Sequence, residues 1–274
     1  MIAECYPRPE HRVSVDLDCF LCNANEKGLA EHAEDAERKE NRNNEEVWEK
    51  GNRLIEEKGM VVERDFYKNS TFFLPGLMVE NHQYLVPFRG NERLKELESF
   101  FQSQFKSLKG QEVQGGARIG DTYLYRPPVM VSALFLIEHA YSHFLHEGLT
   151  WRMVLDWVMF SKRHDKEILW SDFNVFIDEF GFRKFYGSFS RLGQYLIGEI
   201  QDSSFTFQEK RMLEDIWAPL DVHETVRGIK GKLALAGNTW RARWKYRYFT
   251  EISWVTALWI QVKGFLFEKN PILH

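Results

Sequence analysis

Apolar and polar residues alternate with a period of two over residues 13–18, VSVDLD. This period predicts a β-strand, because successive side chains of a strand point to opposite faces. Asp16 and Asp18 therefore share one face of the strand, about 7 Å apart. Two carboxylates this close repel each other unless a cation lies near them, and a divalent metal is the usual cation in a binding site. The alternative is a pair of solvated acids on an edge strand.

The region after this strand changes from polar to amphipathic. Residues 24–46 are dense in charge and have almost no large apolar residue, which predicts a solvated excursion that is helical in part or mobile. An amphipathic helix follows, because Val47, Trp48 and Ile55 stand at helical spacing.

A hairpin with a third acid comes next. Strand-like residues flank the turn pair Pro75-Gly76, so we expect arms near 66–74 and 77–86. On the second arm, Glu80 and His82 share one face of the predicted strand, and an apolar residue precedes Glu80 as it does Asp18.

The remainder of the chain is mostly helical in its pattern. A helix over 91–109 and a short β excursion closed by two prolines precede Val129, after which the period is helical to the end. Gly148 is a suitable C-cap and Thr150 a suitable N-cap, and we expect further helices near 171–180, 183–200, 207–217 and 222–236. We therefore predict an α+β fold, with a small mixed sheet and flanking helices in a domain of residues 1–125, and an all-helical domain of residues 126–274.

Composition and charge narrow the class of protein. The formal net charge of −4 excludes a global electrostatic field that would recruit nucleic acid. No signal peptide is recognisable at the N-terminus, and the longest uncharged apolar run, 252–262, is too short to cross a bilayer. The three cysteines, Cys5, Cys19 and Cys22, are odd in number and lack a second pair, so we interpret them as ordinary thiols. We expect a cytoplasmic protein.

Three motifs in order resemble one protein family. The stretches YPRPEHRVSVDLDCFL, VENHQYL and IEHAYSHFLHEGLTWRMVLDW together span residues 6–160. They are similar to the motifs of the uncharacterised bacterial nucleotidyltransferases, a branch of the DNA-polymerase-β-like nucleotidyltransferase superfamily. The resemblance implies a nucleotidyltransferase-like fold for the first domain, with a helical domain behind it.

The resemblance also implies roles for the matched residues. Asp16 and Asp18 would hold Mg²⁺ (or Mn²⁺) bound to a nucleoside triphosphate, and Glu80 would complete the cluster and deprotonate or orient the acceptor hydroxyl. Arg12 could contact phosphate, and His82 could orient Glu80 or touch the substrate. A surface or packing role for His82 is the alternative.

The activity implied is magnesium-dependent transfer of a nucleotidyl group from a nucleoside triphosphate to a hydroxyl acceptor of unknown identity. Carboxylate-bound metals suit this chemistry because negative charge develops on phosphate oxygens during transfer. The glycine motif that opens the superfamily pattern would fall upstream of Met1, counting back from Tyr6. We therefore keep a second hypothesis, a degenerate and non-catalytic nucleotidyltransferase-like module for binding or regulation.

Four further residues in the helical part are candidates for an acceptor cleft. His139 and His143 are four apart on one helical face, a spacing compatible with two metal ligands, with core or cleft histidines as the alternative. Arg152 and Asp156 have the same spacing and are expected to pair on the helix surface or in the cleft.

The segment WRARWKYRYF, residues 240–249, interleaves basic and aromatic side chains. This composition suits contact with nucleic acid or a membrane surface, which could extend to residue 263. The interpretation we favour is structural, with arginine and lysine stems covering the apolar surface of a terminal helix.

Overall fold

A computed structural model gives the architecture of the chain. The structure describes residues 2–12, 16–21, 33–64, 67–88, 91–107, 117–119, 122–124, 126–217 and 240–259. They fall into two compact units, one formed by Glu10–Pro128 and the other by Met1–Pro9 together with Val129–His274. The division predicted from the sequence assigned residues 1–9 to the first domain, whereas in the structure they pack with the helices.

The sheet unit is built on three strands, β1 (Asp16–Phe20), β2 (Asn69–Leu74) and β3 (Leu77–His82). Their order is β1-β3-β2, with β1 parallel and β2 antiparallel to β3, so the sheet is mixed as predicted. The predicted hairpin is confirmed as β2 and β3. Its turn holds Gly76 at a φ of 76°, a left-handed conformation that glycine adopts without a steric penalty.

Helix α1 (Ala33–Glu57) packs on this sheet. It incorporates residues 33–46 of the predicted polar excursion, whose first part, 24–32, lies outside the described residues. The indole of Trp48 donates a hydrogen bond to the carbonyl of Asn81 in β3 at 2.8 Å. The buried Asn52 accepts hydrogen bonds from Ser70 of β2 and Asn81 of β3, at 2.6 and 2.8 Å. These polar contacts fix the helix at one position on the strands.

Gly51 of α1 lies against the side chain of the residue that follows β1. A Cβ at Gly51 would lie 2.3 Å from Cδ1 of Leu21. A larger residue at this position would require the exposed Leu21 side chain to move. The apolar core on this face of the sheet is small and is formed by Val62, Phe72 and Val79.

The sheet unit is completed by helix α2 (Glu92–Ser107) and by the paired strands β4 (Ala117–Ile119) and β5 (Thr122–Leu124). Both the helix predicted over 91–109 and the short β excursion are thus present. Helix α2 buries Leu97, Phe101 and Phe105, three members of its predicted apolar stripe.

The second unit is helical. It contains α3 (Val129–His146), α4 (Trp151–Arg163), α5 (Trp170–Glu179), α6 (Arg183–Leu196) and α7 (Phe207–Trp217), followed by α8 over 240–249 and α9 over 254–259. The Thr150 N-cap is confirmed, since its side chain accepts a hydrogen bond from the backbone N–H of Met153. The predicted helix over 222–236 falls outside the described residues.

Aromatic rings fill the core of the helical unit. Phe144, Phe173, Phe185 and Phe189 are fully buried, and Trp157 stacks on Phe173 with the ring centroids 5.6 Å apart. Such rings bury large apolar areas and stabilise the packing of α3 to α6.

The N-terminal residues belong to this helical core. The 3₁₀ turn Ile2–Cys5 packs against α4, and Cys5 is buried there. Next to it, the Tyr6 hydroxyl donates a hydrogen bond to Oδ1 of Asp156 at 2.6 Å.

A buried ion pair attaches α8 to the helical core. Lys245 is completely buried, and its Nζ lies 2.8 Å from Oδ1 of Asp215 in α7. The same ammonium donates to the carbonyl of Phe144 at 2.5 Å, and the carboxylate accepts the N–H of Leu149 at 3.3 Å. Both charges therefore have hydrogen-bond partners inside the protein.

None of the helices in the described ranges has the length and apolar character that a bilayer crossing requires.

Candidate metal site at Asp18, Glu80 and His82

The parallel pairing of β1 with β3 brings two acids from distant parts of the sequence together. Asp18 lies directly opposite Glu80 in the register of the two strands. Neighbouring strands are about 4.8 Å apart, so side chains of paired residues on one face can touch. Cys19 and Val79, on the alternate positions, pack into the apolar core beneath, which directs Asp18, Glu80 and His82 to the opposite face.

His82 lies between the two carboxylates. Its Nε2 is 2.8 Å from Oδ1 of Asp18 and 3.3 Å from Oε2 of Glu80. One ligand atom from each of the three side chains can be chosen so that all lie within 4.8 Å of one another. The histidine side chain is 1% exposed, whereas those of Asp18 and Glu80 are 38% and 26% exposed, so solutes can reach the acids while the imidazole is enclosed.

The hydrogen bonds of His82 favour its protonated form. Its Nδ1 lies 3.2 Å from the carbonyl oxygen of Tyr84, and Nε2 faces carboxylate oxygens. Because all of these oxygens are acceptors, both ring nitrogens must carry a proton to donate to them. Burial lowers the pKa of His82, but the hydrogen bonds to Asp18 and Glu80 outweigh it, and the net pKa is raised.

Glu98 of α2 holds the loop on which His82 depends. It is buried, and one carboxylate oxygen accepts the backbone N–H groups of Leu85 and Val86 at 2.9 and 3.0 Å. Those residues directly follow Tyr84, the carbonyl partner of His82. Burial raises the pKa of Glu98. Glu98 was not among the predicted site residues, although an acid between the buried Leu97 and Phe101 is a signal visible in the sequence.

Two predicted ligands are placed less completely. Asp16 begins β1 opposite Met78, two residues before Asp18, and its side chain lies outside what the structure describes. Arg12 is half-buried and precedes β1 by four residues. Their predicted contacts with metal and phosphate stay predictions.

The thiol nearest the site has no sign of reactivity. Burial, together with the charge of Asp18, raises the pKa of Cys19 to about 11, so the thiol is protonated at neutral pH. Cys5 and Cys19 are both free thiols, and Cys22 lies outside the described residues.

His139 and His143 of α3 are neighbours, but within the described part of the chain they do not form a group of three potential metal ligands. The rings of His139 and His143 have centroids 4.4 Å apart, and Nδ1 of His143 lies 2.7 Å from Oε2 of Glu147. The one group of three or more potential ligand side chains among the described residues is that of Asp18, Glu80 and His82.

Asp156 is a buried residue of α4. Its hydrogen bond from Tyr6 joins the first and third stretches of the motif resemblance within the helical unit. This contact gives Asp156 a role in holding the N-terminal segment. Arg152 is half-buried one turn earlier on the same helix, and its pair with Asp156 stays a prediction.

The donor set of the cluster suits a divalent cation. Two ligand atoms bound to one Mg²⁺ or Mn²⁺ lie about 3 Å apart when adjacent and about 4.2 Å apart when opposite, close to the spacings available here. Two carboxylates with one imidazole suit Mn²⁺ better than Mg²⁺, which prefers oxygen alone, and ligation by His82 requires that Nε2 first lose its proton. If the carboxylates alone bind the ion, His82 would not contact it and would instead orient the carboxylates by donating hydrogen bonds to them.

No protein-family model, no curated protein and no solved structure matches this chain. The motif resemblance therefore stays a prediction, and the cluster of Asp18, Glu80 and His82 is the structural basis for a function.

Proposed function

We propose that Asp18 and Glu80 bind a divalent cation, with His82 as ligand or orienting donor, and that the protein transfers a nucleotidyl group from a nucleoside triphosphate to a hydroxyl acceptor. The observation that carries the proposal is the placement of Asp18 opposite Glu80, with both carboxylates meeting at a buried histidine. Asp18 and Glu80 are far apart in the sequence, so it is the pairing of β1 with β3 that brings them together.

The residues of the site would divide the work of the reaction. The acceptor oxygen forms a bond to the α-phosphorus, the bond to the pyrophosphate oxygen breaks, and the hydroxyl proton leaves to a base. Glu80 is our candidate for that base, because its carboxylate is partly exposed and held by His82. A bound cation would supply stabilisation of the negative charge on the phosphate oxygens.

The first experiment measures metal binding. We expect Mn²⁺ to bind the full chain in a calorimetric titration and to raise its melting temperature, because a ligand of the native state stabilises it. Asp18→Asn and Glu80→Gln should each weaken binding by about tenfold or more. Glu96→Gln is the matched control, since Glu96 is an exposed acid of α2 in the same unit. Equal Mn²⁺ affinity in all four proteins, or none in any, would refute the metal site.

The second experiment tests transfer. Labelled ATP, GTP, CTP and UTP are incubated with the protein, Mg²⁺ or Mn²⁺ and hydroxyl acceptors such as sugars, proteins and RNA. Release of pyrophosphate that depends on both the acceptor and Asp18 supports the proposal. Nucleotide binding that occurs equally with and without the metal, and without turnover across the acceptors, would support the second candidate instead.

That second candidate is a non-catalytic module that binds or regulates. The favouring observation is that His82 already places its Nε2–H group between the carboxylates, where a cation would otherwise balance their repulsion. In this case the cluster is a structural ion-pair network, and Asp18→Asn would lower the melting temperature without changing any metal response.

A further inference from the structure

Helices α8 and α9 present an unusual combination of exposed side chains. Trp240, Arg243 and Arg247 follow the i, i+3, i+7 spacing of one helical face and are all exposed. Val255 and Trp259 are four apart on α9 and are 65% and 64% exposed, and Ile252, two residues before the helix, is 42% exposed. We call these six residues the arginine–tryptophan surface.

The two rows of the arginine–tryptophan surface are joined by ring contacts. The ring of Trp240 meets that of Trp254, the first residue of α9, with the centroids 5.5 Å apart. The guanidinium of Arg243 lies over the Trp240 ring at 4.3 Å from its centroid, a cation–π contact. Arginine, tryptophan and the start of α9 therefore form one continuous patch.

The charge of this segment is opposite to that of the whole chain. Residues 240–259 expose three arginines, Arg241, Arg243 and Arg247, against one acid, Glu251, a net charge of +2 in a chain of net charge −4. The fourth cation, Lys245, is buried with Asp215 and makes no contribution to the surface. The contrast points to an anionic partner.

The apolar members distinguish between anionic partners. Single-stranded nucleic acid stacks its bases on rings, and the aliphatic Ile252 and Val255 offer none. A bilayer interface uses all three types together: tryptophan at the headgroup level, aliphatic side chains among the upper acyl carbons and arginine on the phosphates.

We propose that the arginine–tryptophan surface binds the headgroup layer of an anionic phospholipid bilayer. Val255 and Trp259 enter the interface, and Arg243 and Arg247 contact lipid phosphates. The buried Lys245–Asp215 pair holds α8 in the orientation that presents this face. The inference is independent of the activity proposed for the sheet unit.

The test uses the full chain and vesicles of defined composition. Vesicles of phosphatidylcholine with phosphatidylglycerol are compared with vesicles of phosphatidylcholine alone, by co-sedimentation and by the tryptophan emission maximum. We expect binding to the anionic vesicles with a blue shift of the emission, and loss of most of that binding at about 1 M salt, where the Debye length falls to about 3 Å. Equal binding to both vesicle types, or binding to neither, would overturn the proposal.

Substitutions locate the contact. Arg243→Gln with Arg247→Gln should weaken binding about fivefold for each arginine removed. Val255→Ser with Trp259→Ser should weaken it by about tenfold or more, because apolar burial is lost. Val175→Ser is the matched control, a valine on α5 that is 61% exposed compared with 65% for Val255, and it should leave binding unchanged. A loss of vesicle binding in Val175→Ser equal to that in the Val255→Ser and Trp259→Ser variant would contradict the assignment. So would binding of single-stranded RNA that competes with vesicles and is unchanged by Val255→Ser.

Discussion

Two clusters of opposite charges in this molecule differ in what surrounds them. In the helical unit, Lys245 and Asp215 have side chains that are 1% and 8% exposed, and backbone groups complete their hydrogen bonds. In the sheet unit, the imidazole of His82 is equally enclosed, but the carboxylates that it contacts are about one-quarter to two-fifths exposed.

The difference separates a structural role from a binding role. The buried Lys245–Asp215 pair, which we call the sealed pair, is not accessible to solutes, and its role is to fix α8 against α7. The carboxylates of Asp18 and Glu80, held by a buried donor and accessible to solvent, fit the metal site that we propose. Charge alone does not distinguish the two cases, because both clusters contain a cation and carboxylate.

The largest effect we expect comes from breaking the sealed pair. Lys245→Met leaves the Asp215 carboxylate buried without its partner, which should lower the free energy of unfolding by about 3–5 kcal/mol. Replacing both residues, Lys245→Met with Asp215→Leu, should restore most of the loss. Urea denaturation measures both variants. Lys162→Met, which removes an exposed pair with Glu199, is the control and should cost less than about 1 kcal/mol. A loss that small for Lys245→Met would mean that the pair is not sealed.

The second largest effect is a pH dependence of stability that we expect from His146, a residue near Lys245. Burial, with a smaller contribution from the charge of Lys245, lowers the pKa of His146 to about 4 against the opposing charge of Glu147. The folded state thus resists protonation that the unfolded state accepts near pH 6.5, so stability falls as the pH drops from about 6.5 to about 4. The loss is at most about 3 kcal/mol, because the His146 residue is half-buried and solvent reduces the effect.

The variant His146→Asn isolates this contribution. Its unfolding free energy should fall less steeply than that of the wild type between pH 6.5 and 4, and the two curves should run parallel above pH 7. Parallel curves over the whole range would show that His146 titrates normally in the folded protein.

The smallest change in stability that we expect comes from Glu98, which supports the cluster of Asp18, Glu80 and His82. Glu98→Leu removes the acceptor of two buried N–H groups and should cost about 2 kcal/mol. It should also weaken Mn²⁺ binding, because the Tyr84 carbonyl no longer fixes His82. Glu98→Gln keeps an acceptor for both backbone N–H groups but turns its own amide N–H towards that of Gln102, so it should lose less stability than Glu98→Leu and retain Mn²⁺ binding. If Glu98→Leu bound Mn²⁺ as the wild type does, the loop would have no part in ordering the site.

Local patterns predicted the elements well. The turn at Pro75-Gly76 and the alternation on either side gave the hairpin of β2 and β3, and the cap at Thr150 marked the start of α4. Alternation along the second arm also placed Glu80 and His82 on one face. These features depend on neighbouring residues, whose spacing is visible in the sequence.

Contacts between distant residues were predicted incompletely. The position of His82 between Asp18 and Glu80 follows from the parallel register of β1 and β3, which no local period encodes. Glu98 acts on the loop after β3 from a helix that begins ten residues beyond His82, and its carboxylate resembles a surface acid until the packing of α2 is known. In WRARWKYRYF, the one cation that is fully buried, Lys245, could not be told from its exposed neighbours without Asp215.

The placement of Ile2–Cys5 and Tyr6 matters to anyone dividing this protein into fragments. A helical fragment that starts at Val129 would lack the residues that cover α4 and the hydroxyl that donates to Asp156. The sheet region begins at Glu10, so a cut at that residue keeps the unit as the structure divides it. A separately expressed helical half should therefore carry the first nine residues, fused at one end or supplied as a peptide.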